Sequence, residues 1–157
     1  MTQLEQITQY MQTALASDNS GHSADHIDRV VALANKILIN EPMADPFIVR
    51  AAALLHDVYD DKLFNNASDV QLAKSHLKTF LSNISVSQDD ISRIFYIIDN
   101  MSWSKGIGGQ AQHLDINGQI VQDADRLEAV GAIAITRAIT YGAVKNRILY
   151  DPAIPPR

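Results

Sequence analysis

The sequence predicts an all-α fold of about six helices. Apolar residues recur at three- and four-residue spacing along nearly the whole chain, and no stretch sustains period-two alternation between hairpin turns. The interruptions carry Ser, Asp, Pro and Gly placed as caps and breakers. The 157 residues fit a single domain, residues 1–157, large enough to bury a core without staples.

A first amphipathic helix covers roughly residues 2 to 17 and ends in the breaker Ser17-Asp18-Asn19-Ser20-Gly21. The second, about Ser23 to Ile39, places Ile27, Val30, Val31, Ala34, Ile37 and Leu38 on one stripe, closed by Pro42 and Pro46. The third, about Pro46 to Val58, starts with Pro in its first turn and reads FIVRAAALL, apolar all round apart from Arg50. That pattern belongs at the centre of a bundle. Ser68 and Ser87, each three residues ahead of a polar acceptor (Gln71 and Asp90), predict the starts of two more helices, to about Leu81 and Ser102. The stripe of the second of these is Ile91, Ile94, Phe95, Ile98 and Met101. The Gly-rich stretch from Trp103 to Gly118 reads as a loop that covers a site. A last long helix, about Gln119 to Tyr141, is expected to turn Ile120, Val121, Ala124, Leu127, Val130, Ile133 and Ala134 inward.

Composition excludes several classes of function. With no cysteine there is neither a disulfide framework nor a thiolate metal site, and His, Asp and Glu are the strong ligands available. The start lacks a basic region followed by an apolar core, and no apolar run approaches the ~20 residues of a membrane span, so the chain reads as cytoplasmic. Net charge is −5 and Lys and Arg form no cluster, which disfavours a nucleic-acid polymer as partner. A small phosphorylated substrate remains compatible, because a metal ion and one or two local cations override the global charge at a site.

Candidate ligands fall on three helices. His56-Asp57 emerges at the end of the buried third helix, a rigid support for a metal or simply a polar helix exit. His22, His26 and Arg29 stand at i, i+4 and i+7, and share one face if the second helix reaches back to His22. The competing reading of that face is a solvated flank carrying an Asp25–Arg29 pair, although His26, beside Ile27 and Val30, should face inward. Of Asp123 and Asp125, only one can reach a given site, and Asp125 lies four residues from the buried Val121; the alternative is an acidic first turn. Together these helices supply two imidazoles and two carboxylates, a set suited to Mn, Fe, Co, Ni or Zn, with Mg less favoured. Four protein ligands on an ion that prefers six leave two positions for water and a substrate oxygen.

The segments GHSADHIDRV, ALLHDVYDDK and VQDADRLEAVGA resemble the ordered motifs of the HD-domain metal-dependent phosphohydrolases, over about residues 21 to 142. The resemblance implies an HD-domain-like helical bundle in which His26 supplies the first ligand, His56 and Asp57 the signature pair, and Asp125 the closing ligand. It implies hydrolysis of a phosphate ester or anhydride, in a nucleotide or another small phosphorylated metabolite, by metal-activated water. Asp60 and Asp61 stand where the related guanosine tetraphosphate hydrolases carry an acidic pair that activates water, which makes Asp60 the general-base candidate. Lys62 and Arg29 are the nearest cations to neutralise phosphate oxygens; the alternative is that each is a counter-ion to a neighbouring Asp. His22 is a candidate to orient substrate or donate a proton, and Lys105 to close over a phosphate. Trp103 and Tyr59 suit either base stacking or packing. His76 and His113 lack a partner at ligand spacing and are left outside the site.

Similar proteins continue past YDPAIPPR into further helical structure, so the resemblance implies a missing C-terminal segment, with a gap that a second copy would fill as a homodimer. A non-catalytic regulatory domain that holds a metal or nucleotide is the main competing reading. A diiron oxygenase on the same scaffold is the third, and needs additional His ligands, for which only His22 is well placed.

Overall fold

The computed structural model describes residues 1–16, 24–64, 66–102 and 112–154. They form seven α-helices, one short 3-10 helix at Asp61–Leu63 and no strand: α1 Gln3–Ala14, α2 Ala24–Leu38, α3 Pro46–Leu55, α4 Ala67–Asn83, α5 Gln88–Asn100, α6 Ile116–Glu128 and α7 Ala132–Val144. The all-α reading therefore holds, with one helix more than expected.

Side-chain caps fix most of the starts. Thr2 Oγ1 accepts from Glu5 N while Thr2 N donates to Glu5 Oε2 at 2.7 Å, a reciprocal box on α1. Asp45 caps α3 by accepting from Phe47 N and Ile48 N, with Pro46 at the first helical position. Ser87 caps α5 as its spacing predicts. The start of α4 differs from expectation: Asn66, not Ser68, is the cap, its Oδ1 accepting from Asp69 N at 2.9 Å and its Nδ2 donating to Asp69 Oδ2. The helix thereby gains two residues at that end, and Asp69 lies in its positive first turn.

α3 is the central rod. Seven of its ten residues, Ile48, Val49, Ala51, Ala52, Ala53, Leu54 and Leu55, are buried, and α1, α2, α5 and α6 pack against it. Three consecutive alanines keep it slim enough for its neighbours to close round it. From α5 come Ile91, Ile94, Phe95, Ile98 and Met101, all buried as the stripe predicts, and from α6 Ile120, Val121 and Ala124.

The last long helix expected from the periodicity is broken. α6 stops at Glu128, and α7 leaves at 79° after a turn whose Gly131 has φ +86°, a conformation that side-chain-bearing residues rarely adopt. Leu127, Val130 and Ile133, expected inward, are exposed for this reason, being 54%, 68% and 51% accessible. No single helix among the described residues is long and apolar enough to cross a membrane; α6 and α7 reach that length only together, across the bend.

Candidate metal centre

α2 delivers His26 from its first turn, on the face that also buries Ile27 and Val30. α3 delivers His56 and Asp57 from its end. The helix closes at Leu55, three residues earlier than the apolar pattern predicts, with His56 as its cap, and tighter bonds follow from Val58 N to Leu55 O and from Asp60 N to Asp57 O, both 3.2 Å. His56 Nδ1 donates to the Ala53 carbonyl at 2.9 Å, which fixes the ring and turns Nε2 toward the other candidate ligands. α6 delivers Asp125, while Asp123 is exposed to solvent.

These four side chains converge. His26 Nε2 stands 3.3 Å from His56 Nε2, 3.5 Å from Asp57 Oδ2 and 3.4 Å from Asp125 Oδ1. His56 Nε2 stands 3.5 Å from Asp57 Oδ1 and 3.7 Å from Asp125 Oδ1. Ligands bonded to one ion at about 2.1 Å lie roughly 3.0 to 3.4 Å apart at octahedral or tetrahedral angles, so the spacing is close to that of a coordination shell. His26, His56 and Asp57 are buried and Asp125 is 37% exposed at its side chain, which leaves one side open.

The donor chemistry asks for a cation. Two imidazole nitrogens 3.3 Å apart, with two carboxylates beside them, repel one another unless positive charge sits among them. Without a metal that charge is a proton. Burial, the largest single influence, would lower the His56 pKa, but the charge of Asp57, the contact with Asp125 and its charge, and the Ala53 carbonyl together outweigh it and raise the imidazole to about 9. Asp125 moves the other way: burial would raise its carboxyl, yet contacts with His26 and His56 hold it well below the usual carboxylate range. A divalent ion meets the same demand with two charges, and the residues present fit one.

The remaining candidates are dispersed around this cluster. Asp60 is half-buried three residues after Asp57, and Asp61 is exposed at the start of the 3-10 helix. Arg29 lies one turn after His26, its Nη1 donating to Asp25 at 2.7 Å and its Nε to Glu128 at 2.8 Å. Tyr59 is packing: it is buried, stacks on Phe95 at 5.8 Å, lies under the Lys74 ammonium and donates to Asp99 at 3.1 Å. Burial first, and then Asp99, push its phenol well above the ordinary range. His76 and His113 are exposed. His22, Trp103 and Lys105 lie outside the described residues, as does the side chain of Lys62.

Glu128 is a residue that sequence reasoning misses. It is a buried carboxylate at the last position of α6, with its side chain 2% exposed, and Oε2 lies 3.0 Å from His26 Nδ1. Its signal in the sequence is the spacing Asp125 to Glu128, three residues along one helix face. The apolar stripe that runs through Leu127 and Val130 obscures it.

Residues 23–130 match the HD domain family model. The chain belongs to the HD domain family. A solved protein of Lactobacillus plantarum is 44% identical with a TM-score of 0.87, over 99% of this chain and 69% of its own. YpgQ of Bacillus subtilis, an uncharacterized protein, is 39% identical over 96% of this chain and 71% of its own length. Its crystal structure in complex with ADP superposes with a TM-score of 0.74, over 95% of this chain and 70% of that one. An HD-superfamily hydrolase of Bacillus thuringiensis is 34% identical with a TM-score of 0.66, over 98% of this chain and 71% of its own. The HD domain and its buried His-His-Asp cluster suit a divalent metal.

Proposed function

We propose that the protein is a metal-dependent phosphohydrolase that cleaves an ester or anhydride bond of a small phosphorylated molecule, a nucleotide being the favoured class. The observation that carries this reading is the convergence of His26, His56, Asp57 and Asp125 from three helices, with Asp125 on the open side. The hydrolase named in Bacillus thuringiensis supports the reaction class, and the ADP bound to YpgQ supports the nucleotide class.

A divalent ion held by the four residues supplies positive charge against phosphate oxygens and acidifies water. The ion is Mn, Fe, Co, Ni or Zn in preference to Mg, because half of its protein ligands are imidazoles. The chain's own residues do the rest. Asp60, in the turn that follows the ligand pair, accepts the proton of the attacking water as its oxygen bonds to phosphorus and the bond to the leaving oxygen breaks. Asp61 and Lys62 border the same turn, Lys62 and Arg29 are the candidate cations for phosphate oxygens, and His22 is the candidate to orient substrate or donate a proton.

Elemental analysis of the purified protein, followed by a screen of nucleotides and other phosphorylated metabolites with Mn, Co, Ni and Mg supplied separately, tests the proposal. Product release with at least one ion is expected. Tight binding of ligand with no product would replace the enzyme by a regulatory domain, and failure to bind any divalent ion would remove the metal reading. Asp57→Ala is expected to lose both metal and turnover. Asp60→Asn is expected to keep the metal and lose turnover by roughly 10²- to 10⁴-fold; full turnover in that variant would strip Asp60 of its role as base.

A further inference from the structure

We infer that Glu128 is a positioning residue for the metal centre, holding the His26 imidazole with Nδ1 protonated and Nε2 turned to the ion, and tying that ring to the corner where α6 meets α7. The inference rests on the metal reading of the four-residue cluster. Glu128 adds to that reading a residue outside the ligand set.

Glu128 sits at the junction of three helices. Its Oε1 accepts from Arg29 Nε of α2 at 2.8 Å, and its Oε2 pairs with Arg137 Nη1 of α7. The same Oε2 is within ion-pair distance, 3.0 Å, of His26 Nδ1. A carboxylate with its side chain 2% exposed is costly to desolvate. Helix docking alone would be served at least as well by an apolar side chain at that position, as buried ion pairs generally show. What an apolar side chain cannot do is act on the far nitrogen of a buried imidazole.

The two histidines of the cluster are oriented by different means. His56 is fixed from within its own helix end, by the Ala53 carbonyl three residues back. His26 lies in the first turn of α2, and the group at its Nδ1 comes from α6. A negative charge 3.0 Å from Nδ1 favours the tautomer with the proton there, which leaves the Nε2 lone pair aimed at His56, Asp57 and Asp125. Arg29 and Arg137 hold the carboxylate in place, so α7, which contributes no ligand, still helps to orient one.

Three measurements test this. Co²⁺ titration of the full chain, read by its absorption spectrum, is expected to give Glu128→Gln a Kd roughly 10- to 100-fold weaker than wild type. Arg137→Gln removes an arm of the ion-pair network without touching His26, and should weaken Co²⁺ binding by no more than about threefold. Nitrogen-detected NMR of wild-type His26 should place the proton of the neutral or Zn²⁺-loaded ring on Nδ1, with exchange against solvent slower than in Glu128→Gln. Glu128→Asp, which keeps the charge but shortens its reach, carries the affinity test if Glu128→Gln fails to fold, and is expected to lose affinity in the same direction. Wild-type Co²⁺ affinity in the folded Glu128 variants, equal losses in Glu128→Gln and Arg137→Gln, or a wild-type His26 protonated on Nε2 would each overturn the assignment. Absence of Co²⁺ uptake by the wild type is a different failure, which removes the metal reading and this assignment with it.

Discussion

α3 and α7 are both short and apolar, and neither carries an acidic residue in its first turn or a basic one in its last. Yet seven of the ten residues of α3 are buried and none of the thirteen in α7 is. The difference lies in what surrounds them. α3 is enclosed by four helices and ends on the ligand pair His56-Asp57, whereas α7 follows a sharp corner and is tied back through Arg137 to Glu128. Apolar composition therefore sets the capacity of a helix to be buried, and the connections at its ends decide whether the fold uses it.

The largest test of this contrast is Leu55→Ala. Leu55 is fully buried one residue before His56, so truncation opens a cavity and is expected to cost about 2 to 5 kcal/mol in urea denaturation. Because the cavity adjoins the ligand pair, divalent-ion binding should weaken along with stability. A loss under about 1 kcal/mol would mean that α3 is not the rigid support of the centre.

The pH dependence of the metal-free protein sharpens the comparison at the end of α3. The His56 pKa rises from 6.5 to about 9 on folding, so its contribution is fully present below pH 6.5 and is lost as pH rises through 9. Asp125 is lowered from 3.8, so its contribution is present above that value and is lost as pH falls. Metal-free stability should therefore peak between about pH 4 and 6.5 and decline by a few kcal/mol toward pH 9, since each tenfold gain in proton affinity on folding is worth about 1.4 kcal/mol. Saturating divalent ion replaces the proton on His56 and should abolish the alkaline decline. An alkaline decline equally steep with and without metal would place the charge of His56 elsewhere.

The same contrast separates what could be read from the sequence from what could not. The buried stripe of α5 and the central place of α3 follow from spacing, because helical periodicity fixes which residues share a face, whereas the order His26, His56-Asp57, Asp125 is what the resemblance to the HD-domain phosphohydrolases implies. The corner at Gly131 does not. Ile120 through Ala134 keep the helical period across it, and the break is announced only by a glycine at positive φ, one of seven in the chain. Glu128 was hidden by the same continuity, since its partners Arg29 and Arg137 are 99 and 9 residues away and meet only once the chain turns. Asn66 displaced Ser68 as the cap of α4 because both are three residues from a group able to complete the turn, and local spacing does not rank them.

The smallest expected effect is the most telling about α7. Ile135 and Ile139 are 64% and 51% exposed, so replacing either with alanine removes little buried area and should shift stability by less than about 0.5 kcal/mol. Ile48 or Leu55, of similar size but inaccessible, would lose several times more under the same treatment. Should Ile135→Ala or Ile139→Ala instead cost more than about 2 kcal/mol, that face of α7 must be covered in solution. The contrast with α3 would then vanish, since both helices would be core elements, and α7 would hold Arg137 against Glu128 by packing rather than through the ion pair alone.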